Sequence, residues 1–241
     1  MRHAPPTSRP SARRGFTILE LMTAVAIMGI LAALAAYSMQ GMSKRASLTT
    51  AANDFISAIN LAKSRAVATN SNVWVLVYPN LDAVAAGGEV AGPNGAWFVY
   101  EDRDGDFAAS FTSFDPAAPA VGTNDRLNGS INFIANYGKG NTVSKISFGL
   151  LTVQTLPAPF DALTCADADT DCGCSFCSGA GTGRRGAIIF RPDGSAGLVD
   201  GGGNLLPANL GRLGLRGPTT SPADFRVVVS APTSLVRAFS K

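Results

Sequence analysis

The sequence predicts an α+β chain: one long N-terminal helix followed by a β-rich body with an antiparallel sheet. Three observations predict it. Phe16 to Tyr37 is an apolar run of 22 residues with a single charge, Glu20. Apolar residues then recur at alternating steps of four and three, at Leu48, Ala52, Phe55, Ile59, Ala62 and Ala66, which is one stripe of a helix. Beyond Asn72 the chain breaks into short β-prone runs separated by turn-forming residues.

The first element is the apolar run. As a helix it spans roughly 33 Å, enough to cross a bilayer core. The fifteen residues before it carry Arg2, Arg9, Arg13 and Arg14 and no acid, which places that end in the cytoplasm and the body outside. A secretory signal has a shorter core, no internal carboxylate and a small-residue cleavage site after it. A plain anchor accounts for the length but not for Glu20. A carboxylate at membrane depth costs about 2.5–3.5 kcal/mol, so it needs a partner or a purpose.

Composition narrows the chemistry. The net charge of +3 is a property of the first fifteen residues: setting aside their four arginines from 20 basic residues leaves 16 against 17 acids, or −1. The body is polarised. Asp161, Asp167, Asp169 and Asp171 form one acidic segment, and after residue 180 eight basic residues face three acids. The only histidine, His3, lies in the first fifteen residues, so residues 16–241 have no imidazole for general-base, triad or metal chemistry. No nucleophile elbow or phosphate loop is present. The chain is expected not to be an enzyme and to need no cofactor.

Residues 38–70 continue the helix as an amphipathic segment, with Ile56 widening the stripe and Asn53, Ser57, Asn60 and Ser64 opposite. Val73–Tyr78 and Ala96–Tyr100 read as strands, the second closed by the turn Asp102-Arg103-Asp104-Gly105-Asp106. Residues 131–135, 145–151, 187–190 and 225–229 are further strand candidates, and 108–129 and 156–185 read as surface loops. The Asp102–Asp106 run is either an acidic turn or the start of a calcium loop. It lacks the later Gly and the closing Glu of an EF-hand, which favours the turn.

All four cysteines, Cys165, Cys172, Cys174 and Cys177, fall in one segment at 165–177. An oxidising compartment makes two disulfides the expectation, with three pairings open. A thiolate zinc site is the alternative, but only Cys174-Ser-Phe-Cys177 has the metal-type spacing.

The run Gly15-Phe16-Thr17-Ile18-Leu19-Glu20 resembles the class III signal of type IV prepilins. That resemblance implies cleavage by a prepilin peptidase between Gly15 and Phe16, N-methylation of Phe16, and pairing of Glu20 with the N-terminal amine of a neighbouring subunit. The body resembles the GspH/FimT family of minor pseudopilins and minor pilins. Ile59-Asn60-Leu61-Ala62-Lys63-Ser64-Arg65-Ala66 matches its helix, Gly95 to Asp102 its aromatic strand, and Ile188 to Ser195 its late strand and turn.

The resemblance implies a pilin-like fold. The leader is 1–15, the membrane and filament-core helix 16–37, its continuation 38–70, and the periplasmic or extracellular β-rich domain 71–241. It also implies a single pass in the inner membrane. The implied partners are other pilins or pseudopilins, the peptidase, and secreted cargo or a tip adhesin. Some FimT-like members bind DNA through C-terminal arginines. Here Arg212 and Arg216 are the candidates, in a loose echo of that motif.

Overall fold

The computed structural model describes residues 17–81, 95–119, 121–133, 146–149, 158, 160, 173–207, 210–217, 224–231 and 233–240; for 37–45, 128–131 and 133 it describes the backbone alone. Helix α1 runs Ile18–Thr69. It is followed by β1 Asn72–Tyr78 and β2 Ala96–Asp102. A short helix α2 Phe107–Ser110 continues into a 3-10 turn at Phe111–Ser113. The later strands are β3 Arg126–Phe133, β4 Ser147–Phe148, β5 Gly186–Phe190, β6 Ala196–Val199, β7 Leu210–Arg216, β8 Asp224–Ser230 and β9 Leu235–Ser240. Two compact units result, residues 1–42 and 43–241.

In the first unit the large apolar side chains from Ile18 to Leu34 stand exposed, Ile18 at 79%. Ile18–Ala36 is long and apolar enough to cross a membrane.

In the second unit α1 stops where Asn70 takes φ +51° and the Ser71 N–H donates to the Ala66 carbonyl at 3.3 Å. Asn tolerates that left-handed turn, and the bond satisfies an orphan carbonyl of the last turn. The first sheet has the order β3-β2-β1-β5-β6 and the second β4-β7-β8-β9; the described pairings are all antiparallel.

The main core lies among three layers. Leu48, Ala52, Phe55, Ile59, Ala62 and Ala66 of α1 meet Val73, Val75, Val77, Trp97 and Ile188 of the first sheet and Leu213, Leu215, Val227 and Val229 of the second. Phe55 stands edge-on to Trp97, centroids 5.2 Å apart. The opposite face of the first sheet is covered as well. Phe107, Phe111 and Phe114 pack on Trp74, Tyr78, Phe98 and Tyr100. With both faces covered, β1, β2 and β5 read as unbroken apolar runs rather than alternating ones.

Several sequence expectations need correction. The segment 108–129 is not one surface loop. Its first part folds as the aromatic lid, and β3 begins within it at Arg126 and ends at Phe133. Of 145–151, Ser147–Phe148 is strand; Lys145, Leu150 and Leu151 lie outside the described residues, as do Ala135 and the end of the 131–135 expectation. The described part of 156–185 includes a strap at 173–178 whose Cys174, Phe176 and Cys177 are buried. Strands β6, β7 and β9 were not anticipated.

Candidate functional site

Glu20 sits in the first turn of α1. The Thr17 N–H and hydroxyl each donate to Glu20 Oε2 at 3.1 Å, and the Glu20 N–H donates back to Thr17 Oγ1 at 3.2 Å. This is a capping box: two orphan donors of the helix N-terminus are satisfied reciprocally. The carboxylate thus has a partner within its own subunit. The Thr-x-x-Glu spacing ahead of an apolar run was the signal available in the sequence for it. Gly15 and Phe16 lie outside the described residues.

Where α1 ends, a second carboxylate is buried. Glu101 of β2 is 0% exposed at its side chain and lies between two guanidinium groups, Arg65 Nη1 of α1 at 3.4 Å and Arg103 Nε at 2.6 Å. Both guanidinium side chains are partly exposed, at 40% and 37%, so solvent screens the pairs, and removing either arginine leaves the buried carboxylate with the other. The helical motif that contains Arg65 and the strand motif that contains Glu101 therefore meet in space. Nothing in the local pattern of β2 marks Glu101 as buried, because the helix that covers it pairs through Arg65, 36 residues away.

Beyond Glu101 the chain turns through acidic residues. Asp102 accepts from Trp74 Nε1 at 3.2 Å and from the Gly105 N–H at 2.8 Å. Burial pushes its carboxyl up, against those hydrogen bonds. Asp125 accepts from Tyr100 Oη at 2.8 Å and from the Arg103 N–H at 2.9 Å. Oxygens of Asp102, Asp104, Asp106 and Asp125 lie within 4.8 Å of one another, and Asp104 pushes its neighbour Asp106 up. Such a set of hard oxygens suits Ca²⁺ or Mg²⁺ in type. Its two buried members are already committed to the turn, and we assign no metal to it.

Tyr100 in this group gives a pH prediction. Its hydroxyl is pushed up to about 12, first by burial and then by Asp125, with the Gly122 N–H acting in the opposite sense. The unfolded phenol ionises near 10.0, so the contribution is fully present below pH 10 and is lost as pH rises towards 12. The denaturant midpoint should fall across that window in the wild type. It should fall less in Tyr100→Phe, and absorbance at 295 nm should lose a late-titrating phenolate.

Cys174 and Cys177 are joined by a disulfide. Cys165 and Cys172 lie outside the described residues. The bonded pair is not on a surface loop: Cys174, Phe176 and Cys177 all belong to the main core. A buried aromatic between two cysteines was the available sign.

The strand register puts Arg212 and Arg216 of β7 on the same face of the second sheet as Arg226 of β8 and Arg237 of β9. Arg212 is 2% exposed, with its N–H donating to Ser175 Oγ at 2.8 Å. Arg216 is half-buried and its Nε donates to Ser147 Oγ at 2.9 Å. Arg237 is the exposed member. Burial, and then the charge of Arg226, push the Arg212 guanidinium down.

An exposed apolar helix capped around a single carboxylate, leading to a helix-on-sheet body, defines the type IV pilin-like class. Residues 10–36 match the prokaryotic N-terminal methylation motif, and residues 51–149 match the type II transport protein GspH. The chain is a type IV pilin-like protein with a class III N-terminal signal, and its residues 51–149 carry the match to the GspH family. No curated protein and no solved structure matches it.

Proposed function

We propose that the chain is a minor pseudopilin or minor pilin subunit whose work is assembly rather than catalysis. It is made as a prepilin, held in the inner membrane by a single span, cleaved after Gly15 and N-methylated on Phe16. The observation that carries this is the methylation motif at 10–36 placed on an exposed apolar helix, in the same chain as a GspH-family body. The helix anchors the free subunit and then enters the core of a short filament. There Glu20 exchanges its own helix cap for the amine of a neighbour. The body presents its loops to other minor subunits, to cargo or to a tip protein, and so helps to initiate or cap the filament.

Processing tests this directly. Gly15→Asp places a charge and a side chain where the peptidase takes none. The intact mass should then retain residues 1–15, and the subunit should be missing from sheared filaments. Normal cleavage of this variant would count against the reading.

The alternative is a DNA-binding minor pilin acting in DNA uptake. Phosphate contact needs accessible cations. The burial of Arg212 supports assembly over DNA, since of the candidate pair only Arg216 is even half-exposed. Duplex DNA should give no retarded band with the mature protein. A salt-sensitive band lost in Arg212→Ala with Arg216→Ala would favour the alternative.

A further inference from the structure

Residues 173–178 form a strap between the two sheets. On one side Cys174 bridges Leu213, and the Ser175 N–H donates to the Arg212 carbonyl at 2.9 Å; both partners belong to β7. On the other side Ser178 exchanges two backbone bonds with Arg185, at 3.0 and 3.1 Å, just ahead of β5. Its Oγ also accepts from the Gly201 N–H at 2.9 Å, just past β6. Between these anchors lies the ring of Phe176. A Cβ on Gly186 of β5 would lie 2.9 Å from it, and one on Gly211 of β7 would lie 3.0 Å from it. The ring is therefore wedged between the sheets. The Cys174–Cys177 bond closes the strap at this joint, with Cα atoms 5.4 Å apart. A second link between the sheets is the Ser234 hydroxyl, which donates to the Gly194 carbonyl at 2.9 Å.

We propose that Cys174 and Cys177 are an oxidation-dependent latch that docks the second sheet onto the first after export. The export rests on the function proposed above. One cysteine thiolate attacks the disulfide of a thiol–disulfide oxidant, giving a mixed disulfide and releasing one oxidant thiolate. The other cysteine then attacks the sulfur on this chain and expels the second oxidant thiolate. Two electrons and two protons pass to the oxidant, which leaves as a dithiol. Before closure the anchors at Ser175 and Ser178 are joined only through Phe176 and Cys177, with no covalent cross-link, and the strap's bonds to β7 form independently of its bonds to Arg185. After closure the anchors move as one. Cys174 is 1% and Cys177 8% exposed, so solution thiols reach the closed bond poorly and closure runs one way. The first sheet keeps its own ladders, its α1 contacts and its aromatic lid in either state.

Amide hydrogen exchange on the full chain in detergent tests this. Three samples are compared: oxidised wild type, wild type refolded in dithiothreitol, and Cys174→Ser with Cys177→Ser. The last keeps Cys165 and Cys172 and isolates the pair. In the second and third samples the amides of 211–215 and 225–229 should exchange about tenfold faster or more, while those of 73–77 and 97–101 stay unchanged. Oxidised glutathione should restore slow exchange in the wild type alone. Equal acceleration of both sheets would make the bond a general staple. No acceleration would make it idle, and a first sheet that never folds without it would make it a nucleus. Each of these results overturns the latch. Intact mass on the same samples reads leader removal, so a processed chain with unchanged exchange rejects the latch and leaves the proposed function standing.

Discussion

Glu20→Gln should be processed and inserted, and should then fail to enter the filament. The substitution is informative because of the capping box. A glutamine at the third helical position can still reach back to the Thr17 N–H, as the glutamate does at 3.1 Å, so the start of α1 is kept. What is lost is the charge. In the free subunit Thr17 and solvent at the membrane edge satisfy the carboxylate. In a filament core, away from water, a neighbour's amine would be its charged partner. A charge-assisted hydrogen bond contributes about 1.5–3 kcal/mol, so its loss should lower incorporation roughly tenfold to a hundredfold. Glu20→Ala removes cap and charge together. It eases insertion by less than the about 2.5–3.5 kcal/mol of a charge at the bilayer centre, because Glu20 sits in the first turn of the helix, and it should assemble no better than Gln. Co-purification with partner pilins from membranes is the measurement. Wild-type recovery of both variants would leave Glu20 as a helix cap and nothing more.

Gly95→Ala should be among the most destabilising single changes in the body. Gly95 has φ +89°, which an L side chain adopts at a cost of about 1–2 kcal/mol. Its added Cβ would also lie 2.5 Å from Phe148 Cδ2 and from the Pro79 carbonyl oxygen, and 2.7 Å from the Tyr78 carbonyl oxygen. Two of these three are backbone atoms at the end of β1, where Tyr78 pairs with Ala96, and they cannot retreat without opening the ladder. A loss of about 3 kcal/mol or more is expected. Gly105→Ala is the internal control. Its φ is +83°, but nothing lies within 4 Å of an added Cβ, so it should cost only the strain. Denaturant midpoints of the two variants should therefore separate. Equal midpoints would show that the contact at Gly95 is relieved by movement.

What the sequence showed depended on how each element is buried. β1, β2, β5 and β8 were legible because they are buried nearly throughout, and their residues form uninterrupted β-prone runs. β7 was missed because Leu213 and Leu215 alternate with Arg212, Gly214 and Arg216, and a buried arginine does not announce a strand. β9 is an exposed strand whose apolar residues Leu235, Val236, Ala238 and Phe239 are interrupted by Arg237, and β6 is four residues with a glycine. The aromatic lid was visible only as the spacing of Phe107, Phe111 and Phe114, in a stretch otherwise composed like a loop. The N-terminal signal was legible because it joins a charge to an apolar run at a fixed distance. The capping role of Thr17 was present in the same six residues and went unread. The burial of Glu101 could not be read locally, because the arginine from α1 that pairs with it is remote in sequence.

The central claim is that this chain is processed and assembled as a pilin. The most direct measurement is the N-terminus of the wild-type protein recovered from membranes, by intact mass and terminal fragmentation. The account predicts a first residue of Phe16, carrying one added methyl group. A chain beginning after residue 37, or one keeping residues 1–15, would contradict it.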